Sequence, residues 1–226
     1  MLSDICPPVP CTRALRQEII DACHYLAGLR FFISTWGNIS VRVEGGMLIT
    51  PSRMDYATLQ PEDLVLVSMD GEQLEGARVP SSETALHRLV LAQRPDLGAV
   101  VHSHSPYASV LACAHRTLPV CVEDMAQIIG GDVHCAPYTP GGRHQALADA
   151  AVAAMGQDAC AVLLANHGAL TGGHTLAEAV VATEVLEKAA MLYLFAEQLG
   201  GCQRIPAECV AEERHRFVYK YGKPEA

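Results

Sequence analysis

Apolar positions recur at two periods along the chain, and the switches between them mark its elements. From Arg13 to Arg30, "RALRQEIIDACHYLAGLR", apolar residues return every three or four positions, the spacing of one helix face, and Thr12 precedes them as a hydroxyl N-cap. The next stretch, "FFISTWGNISVRVEGGMLITPS", carries β-branched runs on both sides of Gly45–Gly46 and predicts a hairpin. "DLVLVSMDGEQLEG" predicts another strand and turn. "SSETALHRLVLAQRP", introduced by Pro80, predicts a helix that stops before Pro95, because a proline pushes the preceding residue out of helical geometry. "GAVVHSHS" predicts a strand ending at histidines, and "PYASVLACAH" a helix. "DACAVLLANHGAL" predicts an apolar strand ending in Asn166–His167–Gly168. Thr175 caps a long last helix, "LAEAVVATEVLEKAAMLYLFAEQL", closed by Gly200 and Gly201.

Strands and helices alternate, yet a hairpin requires antiparallel pairing. The expected class is α/β: a three-layer α-β-α sandwich whose central sheet, largely antiparallel or mixed, is covered by helices. One domain is expected over residues 1–226, with residues 1–11, which hold three prolines, as a loose lead-in and residues 212–226 as a C-terminal tail.

Composition narrows the function. Half the residues are hydrophobic (50%) and 18% are charged, which is the balance of a chain with a sizeable core. The net charge is −9 and the 16 lysines and arginines are scattered, so no nucleic-acid partner is expected. A small anionic substrate remains compatible, because local donors outweigh the global field. Nine cysteines without a CxxC pair suit free thiols in a reducing compartment better than a disulfide framework. No apolar run approaches the ~18 residues of a membrane span, so no membrane partner is expected. The N-terminal "MLSDICPPVPCTR" lacks the pattern of a secretory signal, and a cytoplasmic protein is expected.

The candidate chemistry sits at element ends. In a strand through Val100–Val101, His102 and His104 share a face at roughly 7 Å, where two neutral imidazoles either hold one metal or serve as ordinary strand-end residues. His167, also at the end of an apolar strand, shifts the balance toward a metal, since three imidazoles with an open position form a catalytic zinc arrangement. Ser81, Ser82 and Glu83 open a helix: they cap it, or they grip a phosphate while Glu83 faces the metal as ligand or base. His87, one turn after Glu83, either packs in the core or hydrogen-bonds behind the site. Gly37, Asn38, Thr50 and Ser52 are either polar turns or ligand donors.

The segments "GNIS", "ITPS", "PSSE", "HSH" and "NHG", in that order, resemble the zinc-dependent class II aldolase/adducin-head family. The resemblance runs from about residue 12 to 222, includes "APY" and the terminal "YG", and is nearest to the members that act on fuculose 1-phosphate and on deoxypentulose or methylthioribulose 1-phosphates. It implies that His102, His104 and His167 ligate one zinc ion per subunit, a set that also suits manganese or cobalt. It implies that Glu83 is the catalytic acid/base and that Gly37, Asn38, Ser52, Ser81 and Ser82 hold the substrate phosphate. It also implies that Tyr221, in a tail over the active site, assists proton transfer at the aldehyde oxygen, and that the assembly is a homotetramer with a site near a subunit interface. Ser52–Arg53, Glu123 and Asp124 in "VCVEDMAQIIGG", and Gly141 depart from the fuculose enzymes and point away from fuculose as substrate.

The implied reaction is cleavage of a 1-phosphorylated ketose to dihydroxyacetone phosphate and an aldehyde, with the metal as electron sink and Glu83 moving the proton. Related alternatives are a pentulose-phosphate 4-epimerase, whose relatives carry Asp where Glu83 stands, a methylthioribulose-1-phosphate dehydratase and a tetronate-phosphate decarboxylase. A non-catalytic adducin-head-like binding domain and a metal-dependent hydrolase are rivals of other classes.

Overall fold

The runs flanking Gly45–Gly46 fold as the hairpin they predict. Asn38–Val43 (β1) and Gly46–Ile49 (β2) pair antiparallel with Val43 opposite Gly46. In this computed structural model, which describes residues 5–140 and 142–221, six further strands extend that hairpin into one sheet. They are Val65–Val67 (β3), Gln73–Glu75 (β4), Ala99–Ser103 (β5), Cys135–Ala136 (β6), Ala161–Leu164 (β7) and Gly168–Gly173 (β8), in the spatial order β4-β3-β2-β1-β5-β8-β7-β6. The β6–β7 pair is parallel and the other pairings are antiparallel.

Helices Arg13–Gly28 (α1), Thr84–Gln93 (α2), Pro106–Cys113 (α3), Glu123–Ile128 (α4), His144–Met155 (α5), Leu176–Gln198 (α6) and Ala207–Tyr219 (α7) cover it. The strand period of two sorts the core. On β5, Val100 packs with Leu86, Val90 and Leu91 of α2, whereas Ala99 and Val101 join Ile19, Ile20 and Cys23 of α1 and Ala179 of α6. Helix α5 packs beside α2 and over β6 and β7, while α3 and α6 lie along β8. These layers make the expected α-β-α sandwich. The caps are also as expected: Thr12 Oγ1 accepts from the Leu15 N–H at 3.1 Å, and Thr175 Oγ1 from the Glu178 N–H at 3.2 Å. Gly200 and Gly201, at φ 111° and 120°, close α6.

Three segments differ from expectation. "DACAVLLANHGAL" is not one strand: β7 ends at Leu164, Asn166 turns the chain at φ 56°, and β8 starts at Gly168. An uninterrupted apolar run hides this reversal, because asparagine supplies the left-handed turn and both strands are buried. The lead-in is pinned rather than loose where it is described. The Cys6 N–H donates to the Pro95 carbonyl at 2.7 Å, and Val9 bridges to Val43. Much of the tail is helix α7, a mostly polar segment with one buried apolar residue, Val210, packed against α4. All nine cysteines are free, and no helix among the described residues is long and apolar enough to cross a membrane.

Candidate active site

Strand order brings the candidate residues together. Asn38 at the start of β1 lies opposite His102 near the end of β5, and Ser103 lies opposite Ala169 at the start of β8. Three neighbouring strands therefore present their polar ends at one end of the sheet, and Glu83, the N-cap residue of α2, closes the group. Two glycines permit the approach. A Cβ on Gly168 would lie 2.4 Å from the Ser103 carbonyl oxygen, and one on Gly37, at φ 111°, 2.4 Å from the Phe32 ring. Tyr56 fixes that second turn by donating its hydroxyl to the Gly37 carbonyl.

His102 is fully buried and sits 3.0 Å, through Nδ1, from the Ala169 carbonyl oxygen. A carbonyl only accepts, so Nδ1 carries a proton, and Nε2 is the nitrogen that offers a lone pair when the ring is neutral. That Nε2 lies 3.0 Å from His104 Nε2 and 3.2 Å from Glu83 Oε2, while His167 Nε2 lies 3.3 Å from Glu83 Oε1. Ring centroids of the three histidines are 4.7–5.2 Å apart, and their candidate ligand atoms fall within 4.8 Å of one another. Tetrahedral zinc, with nitrogen bonds near 2.0–2.1 Å, needs nitrogens about 3.3 Å apart, a value that lies between the 3.0 Å of the His102–His104 pair and the 4.8 Å limit of the group. Glu83 Oε1 is buried without a hydrogen-bond partner, which is what an oxygen reserved for a metal or a proton would show.

The electrostatics suit a cation. Burial, reinforced by the neighbouring imidazoles, pushes His104 down to about 3, and burial likewise lowers His167, so both rings are neutral at pH 7. Burial pushes Glu83 upward, but this is outweighed by the His102 and His167 rings in their protonated form and by the Asn38 hydrogen bond, so Glu83 stays below its usual range as a carboxylate.

An open cavity of about 600 Å³ begins at this cluster. Gly37, Asn38, Ser52, Ser81, Ser82, Glu83, His104 and His167 all line it; His102 does not, but its ring centroid is 4.7 Å from that of His104. Arg53 lines it too, in a left-handed conformation at φ 58°, as does the exposed Trp36, whose ring centroid is 6.4 Å from that of His104. The capping reading of Ser81 holds in part, since its Oγ accepts from the Glu83 N–H at 3.2 Å. Asn38 lines the cavity and is also tied to the site's interior: its Nδ2 donates to Glu83 Oε2 at 2.7 Å and its Oδ1 accepts from His87 Nε2 at 2.5 Å, which leaves the second Nδ2 hydrogen uncommitted.

Tyr221 is not among the residues lining this cavity; it stacks on Phe217 with ring centroids 5.6 Å apart. Gly141 and Gly222 lie outside the described residues. Asp124, in the first turn of α4 after Glu123, pairs with Lys188. Residue-by-residue reading missed Glu187, whose carboxylate accepts from the Tyr107 and Ala108 N–H groups at 2.9 Å and so caps α3 just after His104. Eighty positions separate the partners, and nothing local announces the contact.

Comparison with known proteins adds four findings. Residues 17–194 match the family model described as class II aldolase and adducin N-terminal domain. The chain is 40% identical over 211 residues to a 5-methylthioribulose-1-phosphate/5-deoxyribulose-1-phosphate aldolase of Rhodospirillum rubrum, covering 92% of this chain and 91% of the relative. It is 38% identical over 195 residues to a 5-deoxy-D-ribulose 1-phosphate aldolase of Bacillus thuringiensis serovar kurstaki, covering 85% and 90%. A solved L-fuculose 1-phosphate aldolase superposes with a TM-score of 0.87 at 34% identity, covering 92% of this chain and 98% of the other.

Proposed function

The chain belongs to the class II aldolase and adducin N-terminal domain family, and from that membership we infer its reaction. It is a metal-dependent aldolase that reversibly cleaves a 1-phosphorylated ketose to dihydroxyacetone phosphate and an aldehyde. The observation that carries this reading is the meeting of three imidazole nitrogens with the unpartnered Glu83 Oε1 at the head of one cavity.

His102, His104 and His167 hold the divalent ion, with zinc the expected metal. When bound, the ion supplies Lewis-acid stabilisation of the electron pair released as the carbon–carbon bond breaks. Glu83 protonates the resulting carbon in cleavage and removes that proton in synthesis, a transfer worth about 10²–10⁴-fold. Gly37, Asn38, Ser52, Ser81 and Ser82 orient the phosphate, so that binding remote from the reacting bond lowers its barrier. Arg53 adds a guanidinium to the same cavity. The aldehyde end takes a short alkyl or thioether tail, as in 5-deoxyribulose or 5-methylthioribulose 1-phosphate, the substrates named for two relatives.

The working unit is a cytoplasmic homotetramer in which the whole chain forms one domain. Tyr221, away from the cavity of its own chain, assists the aldehyde oxygen from a neighbouring copy. The test is metal analysis of the purified protein followed by incubation with the 5-deoxyribulose, 5-methylthioribulose and fuculose 1-phosphates, with dihydroxyacetone phosphate detected by NADH-coupled reduction. One divalent ion per chain, product formation and its loss after chelation are expected. A metal-loaded enzyme that releases no dihydroxyacetone phosphate from any of the three would remove the reading, and preference for fuculose 1-phosphate would remove the assignment of the tail.

A further inference from the structure

Behind Glu83 lies a line of polar groups that the reaction does not itself require. His87 is fully buried on α2, one turn after Glu83, and Ser40 beneath it on β1 is fully buried as well. Ser40 Oγ is 2.7 Å from His87 Nδ1, His87 Nε2 is 2.5 Å from Asn38 Oδ1, and Asn38 Nδ2 is 2.7 Å from Glu83 Oε2. Burying three polar side chains is costly unless each finds a partner, and here each does.

We propose that His87 is a positioning residue: through Asn38 it anchors one oxygen of Glu83, leaving Oε1 as the oxygen that exchanges the proton. The proposal rests on the reading of Glu83 as acid/base.

Hydrogen-bond direction carries the argument. The Glu83 carboxylate only accepts, so the Asn38 NH₂ must face it and the Asn38 carbonyl must face His87. That carbonyl also only accepts, so His87 donates through Nε2–H. Burial pushes His87 down to about 3, so the ring is neutral and Nδ1 is bare. Nδ1 then accepts from the Ser40 hydroxyl. Every donor points the same way, from Ser40 through His87 and Asn38 to Glu83. Reversing the chain would set the Asn38 carbonyl against the carboxylate, so the order has a single stable sense. At its end Oε2 is held at 2.7 Å, while Oε1 is buried with no hydrogen-bond partner, 3.3 Å from His167 Nε2. A carboxylate fixed at one oxygen keeps a defined orientation in the cavity, and its other oxygen stays unencumbered.

The experiment compares metal-loaded wild type with Ser40→Ala, His87→Leu and His87→Gln in the cleavage of 5-deoxyribulose 1-phosphate. It is paired with ¹⁵N-histidine NMR of the metal-free proteins. The expected NMR result is a His87 ring protonated at Nε2 in the wild type and a mixture of tautomers in Ser40→Ala. His87→Leu should lose about 10–100-fold in kcat, the scale of outer-shell partners, with KM and metal content unchanged. His87→Gln should recover most of kcat, because its amide can donate to the same Asn38 oxygen.

Wild-type kcat in His87→Leu, an effect confined to KM, loss of the metal, equal damage from Gln and Leu, or a ring protonated at Nδ1 would each overturn the proposal. Should His87→Leu not fold, Ser40→Ala, His87→Gln and the tautomer decide it. A wild type inactive on every ketose phosphate would instead defeat the aldolase reading and with it the role of Oε1, while the tautomer still reports whether the chain of donors exists.

Discussion

A single methyl group added at Gly168 should unseat the histidine cluster. The φ of this glycine lies outside the left-handed region, so alanine has no backbone objection there, and the effect is purely one of space. The new Cβ would stand 2.4 Å from the Ser103 carbonyl oxygen and 3.4 Å from His102 Cε1. Ordinary van der Waals contact begins near 3.4 Å, so β8 must move away from β5 by roughly 1 Å. Both strands are buried in the middle of the sheet, and neither has room to yield. Overpacking of this kind costs about 1–3 kcal/mol. For a chain of 226 residues that lowers Tm by roughly 2–12 °C. The same shift carries off the Ala169 carbonyl that holds His102 Nδ1–H at 3.0 Å, and losing such a partner lowers metal affinity about 10–100-fold. Thermal melts in chelator measure the first effect, and competition for zinc against a chromogenic chelator the second. Gly28→Ala, whose Cβ meets nothing within 4 Å, is the control and should stabilise the helix end slightly. A Gly168→Ala protein that matches wild type in both melt and zinc affinity would refute the account of why glycine follows His167.

Other outcomes follow from the same contacts. Glu83→Gln should keep the metal and lose about 10²–10⁴-fold in kcat, and full activity in that variant would exclude Glu83 as the acid/base. Glu187→Ala removes the carboxylate that caps α3 and should lower stability by about 1–3 kcal/mol in urea titrations, whereas Glu187→Gln, which keeps one acceptor, should lose less. Acid should weaken the metal-free protein through His87. The unfolded ring binds a proton below about 6.5 while the native ring, held near 3, does not, so stability falls as pH drops through that window. Near pH 5 the loss from this one residue is about 2 kcal/mol, and a His87→Gln protein with the same pH dependence as wild type would contradict it. Saturating zinc at about 100 times its Kd should add about 2.7 kcal/mol to the stability of the apo protein, removable by chelation.

What could be read along the chain was what depends on near neighbours. Apolar spacing and a hydroxyl cap define Arg13–Gly28 and Leu176–Gln198, and Gly45–Gly46 sets the first hairpin, because helices and tight turns close their hydrogen bonds within a few residues. The types and order of His102, His104, His167 and Glu83 suggested a candidate metal group, though not how the chain would bring it together. Helix α5 escaped notice because an alanine-rich face contrasts little with its surroundings, and α4 because it is six residues long. Tertiary structure alone decided that β8 lies between β5 and β7, which turns two distant strand ends into one metal-sized group. It also decided that the Asn38 amide bridges Glu83 and His87, and that Glu187 caps a helix eighty positions away. These outcomes are hydrogen bonds between groups far apart in the chain, and their partners exist only once the sheet has brought them within about 3 Å.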